Sequence, residues 1–192
     1  MIFLLNLHNQ IPAKYLLMIT NSGFRHINVR DITENTFELI GKDWMLVTAG
    51  NIAKFNMMTA NWGSFGILWH RPVATCFIRP QRYTYEFAEN NNYFTLCFLP
   101  EQYREALNLC GSLSGRNIDK AAATGLTALE TTHGNVYFEE CSLVLECRKL
   151  YADKLEAANF IEKQIIDEVY TRGDFHKLFI GEIVSCLKKN SH

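Results

Sequence analysis

The chain has 192 residues, 48% of them apolar and 20% charged, with a formal net charge of −1. That length supports one domain with a substantial core, and the near-neutral balance argues against a general nucleic-acid binder, which usually carries a basic face. No run of about 18 apolar residues is present to span a membrane as a helix.

The opening MIFLLNLHNQ lacks a basic n-region, and its apolar run is broken by Asn6, His8, Asn9 and Gln10, so it makes a poor signal peptide. Residues 1–20 read as an N-terminal arm, or in part as sequence upstream of a start at Met18. Residues 21–192 read as a single domain. Residues 44–49 (WMLVTA) predict a fully buried strand ended by Gly50. Residues 73–78, 93–99, 136–147 and 178–186 predict further strands from their β-branched, aromatic and Leu content. Residues 84–90 predict a short helix opened by Thr84. Residues 101–110 predict another after Pro100, with Tyr103, Ala106, Leu107 and Cys110 on one face before Gly111. Asp153-Lys-Leu-Glu156 is a weak capping-box variant that predicts one more. The sum is a mainly β fold with short helices, a barrel with helical excursions. Alternating βα units with helices of about a dozen residues are missing, which argues against a Rossmann sheet, and with no Gly-x-Gly-x-x-Gly no Gly-rich dinucleotide loop is expected.

Six cysteines (Cys76, Cys97, Cys110, Cys141, Cys147 and Cys186) show no Cys-x-x-Cys spacing and sit mostly in apolar runs. They read as reduced core residues, with Cys141 and Cys147 on the Leu face of one strand, and point to the cytoplasm. The histidines are scattered, with no His-Glu-x-x-His, so no metal site is expected.

Four stretches could carry chemistry. Arg79-Pro-Gln-Arg82-Tyr-Thr84 offers forked guanidinium donors, a hydroxyl and the first N–H groups of a helix, which together suit a phosphate. The alternative is a solvated turn. Residues 56–62 (NMMTANW) bring small and amide-bearing residues beside Trp62, suited to the edge of a heterocycle; the alternative is a plain strand end with its Trp in the core. Residues 111–120 (GSLSGRNIDK) form a loop rich in N–H groups, with Arg116 and Lys120 adding charge, or simply a helix-to-helix connector. Its Gly-x-Ser-x-Gly frame centres on Leu113, so it is no nucleophile elbow. His176, between Phe175 and Lys177, stands ahead of a strand. An imidazole there would titrate near neutral pH; the alternative is a strand cap paired with Asp174.

The order of these stretches is more specific than any one of them. Phe55-Asn-Met-Met-Thr-Ala-Asn-Trp62, Arg79-Pro-x-Arg-Tyr-Thr84, a strand over 94–99, Ser-Gly-Arg-x-x-Asp-Lys120 and His-x-x-Phe-Ile-Gly-Glu182 together resemble the flavin reductase-like family, flavoredoxins included, over roughly residues 44–183. The resemblance implies an FMN-binding split β-barrel and a homodimer. It implies that Asn56, Thr59, Ala60, Asn61 and Trp62 face the flavin, and that Arg79, Arg82 and Thr84 hold its phosphate. Leu96, Cys97 and Phe98 would lie beside the cofactor, Ser114, Gly115 and Arg116 would form the loop near it, and His176 would be catalytic. NADH or NADPH would reduce the flavin, and a small molecule or protein would accept the electrons. The alternatives are a flavoredoxin-type carrier without its own nicotinamide site, or an FMN-binding protein that never turns over. Two departures, Asn61 where relatives often carry a small residue and Ala121 where they carry an aromatic, bear on the substrate pocket.

Overall fold

The computed structural model describes residues 23–190; the expected N-terminal arm lies outside them. In chain order the elements are β1 (Phe24–His26), β2 (Met45–Asn51), β3 (Lys54–Ala60), β4 (Gly63–Leu68), β5 (Arg71–Ile78), α1 (Tyr83–Asn90) and β6 (Tyr93–Phe98). There follow α2 (Arg104–Ser112), α3 (Lys120–Thr124), β7 (Ala128–Glu130), β8 (Val136–Phe138), β9 (Leu143–Lys154), α4 (Gln164–Val169) and β10 (Lys177–Lys189). An antiparallel sheet runs in the order β3-β2-β6-β9-β10-β5-β4, with β1 added against β10; β7 and β8 form a separate hairpin.

Side-chain alternation decides how this sheet rolls. Met45, Val47 and Ala49 of β2, Phe94, Leu96 and Phe98 of β6, and Leu143, Leu145 and Cys147 of β9 all enter one apolar cluster with residues of β3, β5 and β10. The intervening Leu46, Cys97 and Val144 point the other way, into a second cluster with Leu107 and Cys110 of α2 and with β8. One face of six strands thus converges on a single core, as a rolled sheet requires. Along β10 the pairing slips at Ile180/Gly181 and again at Ile183/Ser185. Such bulges reset the alternation, so Phe179, Ile183 and Cys186 face inward while Leu187 faces out. The edges left at the ends of the sheet are β3 and β4, and the seam between them begins at the Asn61-Trp62 connection.

Several expectations need correction. Gly50 does not end β2: the strand continues to Asn51, and Gly50 has φ +115° while a Cβ there would lie 2.4 Å from the Lys54 carbonyl oxygen, so the position needs glycine on both counts. Residues 136–147 are two strands, broken where Cys141 N–H turns back to the Phe138 carbonyl. Cys141 consequently packs in the outer cluster and Cys147 in the inner one. Asp153 opens no helix; it lies in β9 and accepts from the Tyr151 hydroxyl and the Lys154 amide. The helix after Pro100 starts as a 3-10 turn at Glu101–Tyr103, although its buried face is the one predicted. All six cysteines are free and buried. Among the described residues no helix is long and apolar enough to cross a membrane, and no acidic, His and Cys side chains cluster to hold a metal.

Candidate functional site

The seam end of β3, the start of α1, the end of α2 and the loop before α3 meet in one place. Asn56 on β3 is buried and donates through Nδ2 to the Thr84 hydroxyl at 2.7 Å, tying β3 to α1. Thr59 donates to the Leu107 carbonyl at 2.5 Å, tying β3 to α2. The loop after α2 comes so close that a Cβ on Gly115 would stand 1.9 Å from Asn56 Oδ1, so only glycine fits this approach. Ser114 accepts from the Arg116 amide at 3.3 Å, and Arg116 crosses to Glu86 and stacks its guanidinium 4.7 Å from the Tyr83 ring centroid. Residues 113–118 are therefore both a connector between α2 and α3 and the cover over the start of α1.

Arg82 is the N-cap residue of α1, and its side chain makes no cap bond there. It reaches instead to the end of α2, donating to the Gly111 and Cys110 carbonyls at 2.6 and 3.0 Å. Lys120, at the start of α3, donates to the same Cys110 carbonyl and to that of Met57, each at 2.9 Å. Burial lowers the pKa of both cations, that of Lys120 to about 8. In the sequence Lys120 reads only as added charge. Its position directly after Asp119, whose side chain caps α3 through the Ala122 amide, was the signal that it begins a helix and turns inward.

Arg79 goes elsewhere. It pairs with Asp174 at 2.5 Å, donates to the Val169 carbonyl at 3.1 Å and lies 5.5 Å from the Tyr170 ring centroid. The two arginines of the RPQR turn thus serve different parts of the fold. His176 stands on the Arg79 side, its Nδ1 2.9 Å from the Tyr170 hydroxyl and its ring 4.8 Å from that of Trp62. Asp174, engaged by Arg79 and Gln81, is not its partner. Burial, then the charge of Arg79, holds the His176 pKa down to about 4, so the ring is neutral at physiological pH and the expected titration near neutrality is corrected. Tyr170, which nothing in the sequence singles out, sits across the Gly173 turn, where no periodicity marks it.

Trp62 is 41% exposed, outside the core, and Asn61 is exposed beside it. Thr59, Ala60, Asn61 and Trp62 therefore run from the buried Asn56 pair out to the seam, toward His176. Leu96, Cys97 and Phe98 lie deeper. They are at most 1% exposed, with β6 hydrogen-bonded on both sides, and their side chains fill the two cores. Thr84 is likewise fully buried.

Two features fit a flat ligand carrying a phosphate. Arg82 and Lys120 place two cations at one spot with no carboxylate in ion-pair range among the described residues. Arg82 spends two of its five N–H donors on carbonyls, which leaves the others for an anion. At the other end, an exposed indole and a neutral imidazole border the seam.

Residues 38–192 match the model of the flavin reductase like domain. The chain matches no curated protein by sequence at a significant level. Among solved structures it resembles an FMN-binding domain of a flavin reductases-like enzyme from Shewanella baltica OS155, 18% identical, covering 86% of this chain and 77% of that one with a TM-score of 0.63. An FMN-binding protein from Thermus thermophilus with bound 1-cyclohex-2-enone is 20% identical, with 86% and 80% covered and a TM-score of 0.62. A flavoredoxin from Methanosarcina acetivorans is 23% identical, with 75% and 67% covered and a TM-score of 0.58.

Proposed function

The chain belongs to the family of flavin reductase-like domains, and from that premise we propose that it is an FMN-binding oxidoreductase whose flavin is reduced by NADH or NADPH. A small molecule or a protein then accepts the electrons. The observation that carries the reading is the pair of cations at Arg82 and Lys120, set beside the first amides of α1 at one end of a seam lined by Thr59–Trp62. A phosphate needs charged and forked donors at such a spot, and the flat remainder of the ligand needs the seam.

FMN, when bound, supplies the redox chemistry by taking up and releasing two electrons. The protein's residues bind and orient. Arg82 holds the phosphate with its remaining donors, while Thr84 and Asn56 fix the start of α1 against β3. Ser114, Gly115 and Arg116 form the loop that lies over that end. Arg79, bonded to Asp174 and Val169, fixes the segment that leads to His176. His176 offers a neutral imidazole, oriented by Tyr170, that can share a proton in a hydrogen bond without bringing a charge to the ring. The seam residues Asn61 and Trp62 remain exposed in one chain, which favours a second copy completing the site, and we read the working form as a cytoplasmic homodimer.

Stopped-flow mixing of the FMN-loaded protein with NADH or NADPH tests this reading. Bleaching of the flavin absorbance by either nucleotide is expected. Bleaching only on addition of a reductase protein would replace it with the flavoredoxin-type carrier, a reading favoured by the likeness to a flavoredoxin. No bleaching by either route would leave a binding protein that does not turn over.

A further inference from the structure

Arg82 and Lys120 converge on a single acceptor. The Cys110 carbonyl oxygen receives Arg82 Nη2 at 3.0 Å and Lys120 Nζ at 2.9 Å. It lies in the last turn of α2, where the helix carries about half a negative charge. Two full positive charges therefore face about half of a negative one. Satisfying these carbonyls would take only neutral donors, so the charge exceeds what closing the helix requires. Lys120 is only 5% exposed.

The groups facing Lys120 leave that excess standing. From α2 comes the Cys110 thiol, which burial pushes up to about 11 and so keeps neutral. From the start of α1 comes Arg82, a like charge, and from β3 the Met57 carbonyl. On its own helix, Asp119 is turned to the Ala122 amide at 3.1 Å. Burial is the main cause that brings the Lys120 pKa to about 8, and the charge of Arg82 adds to it.

We propose that Lys120 and Arg82 form a proton-linked receptor for the phosphate of the flavin nucleotide, in which arrival of the dianion is coupled to uptake of a proton by Lys120 above neutral pH. The inference rests on the FMN reading and adds a regulation to it. A phosphate monoester has its second pKa near 6, so it is already dianionic in this range and the proton goes to the protein. A dianion beside the ammonium favours the charged form and raises its pKa. Between the free and bound pKa values, FMN affinity falls by up to about tenfold per pH unit. Riboflavin, which lacks the phosphate, is indifferent.

Calorimetry at about pH 8.5, in two buffers of different ionisation heat, counts the protons taken up on binding. The native protein should take up about half to one proton per FMN and essentially none with riboflavin. Lys120→Arg keeps the charge but cannot lose its proton, so it should bind FMN with no uptake. Native protein that binds FMN without uptake, or equal uptake in Lys120→Arg, overturns the proposal. Should the variant fail to fold, the native protein alone decides: the ratio of FMN to riboflavin affinity must fall from about pH 7 to about pH 9.5, and a constant ratio overturns it. If the native protein binds neither flavin, the FMN reading fails separately, and inorganic phosphate becomes the probe. Thermal stabilisation by phosphate at about pH 7 that is lost by about pH 9.5 then supports the receptor. Stabilisation at neither pH, or equally at both, rejects it.

Discussion

His176→Gln isolates the one buried imidazole of the site. Glutamine keeps a hydrogen-bonding group for the Tyr170 hydroxyl while removing the titration. In the native fold, burial and the nearby Arg79 hold the pKa of His176 to about 4, against about 6.5 in an unfolded chain. Between those values the unfolded chain binds more protons than the folded one, so stability rises with pH through the window. The contribution is complete above about pH 6.5 and gone below about pH 4. A gap of that size is worth at most about 3 kcal/mol between the two protonation states, and partial solvent access beside Trp62 reduces it to about 2 kcal/mol. Urea denaturation at about pH 4.5 and at about pH 7 measures it, with the titrating groups common to both proteins cancelling in the comparison. The native protein should lose about 2 kcal/mol more than His176→Gln on acidification, and the variant should lose only about 1 kcal/mol at neutral pH from its poorer fit to Tyr170. An equal loss in both proteins would refute the buried, neutral imidazole.

Gly115→Ala should drive a methyl into Asn56 Oδ1, 1.9 Å away. Either the loop lifts or Asn56 releases Thr84, so stability should drop by about 1–3 kcal/mol and FMN affinity by at least about tenfold. A fluorescence titration matching the native protein would count against the loop's closing role. Assembly is checked by sedimentation: a two-fold dimer burying more than about 2,000 Å² is expected, and a monomer with FMN fully bound would contradict it.

Much of this was legible in the sequence because its signals are local. The strands of 73–78 and 93–99, the buried face of Leu107 and Cys110, and the order of the four stretches all lie within short windows. What was missed depends on partners far along the chain. The RPQR spacing offers two guanidinium groups, but only the fold shows Arg79 reaching Asp174, 95 positions away, and Arg82 reaching Gly111. The neutral state of His176 likewise follows from burial and from Arg79, neither of which is a sequence property. The short strand β4 was hidden because its exposed Ile67 and Leu68 break the alternation that marks a half-buried strand.

The central claim is that this seam binds FMN through a phosphate held at Arg82, and the affinity of FMN relative to riboflavin measures it most directly. Charge-assisted hydrogen bonds contribute about 1.5–3 kcal/mol each. The native protein should therefore bind FMN well above riboflavin, and Arg82→Ala should weaken FMN by roughly tenfold to a hundredfold while leaving riboflavin nearly unchanged. Arg82 also caps α2, so the titration is run where circular dichroism shows the variant folded. Equal affinity for the two flavins in the native protein, or FMN binding untouched by Arg82→Ala, would contradict the account.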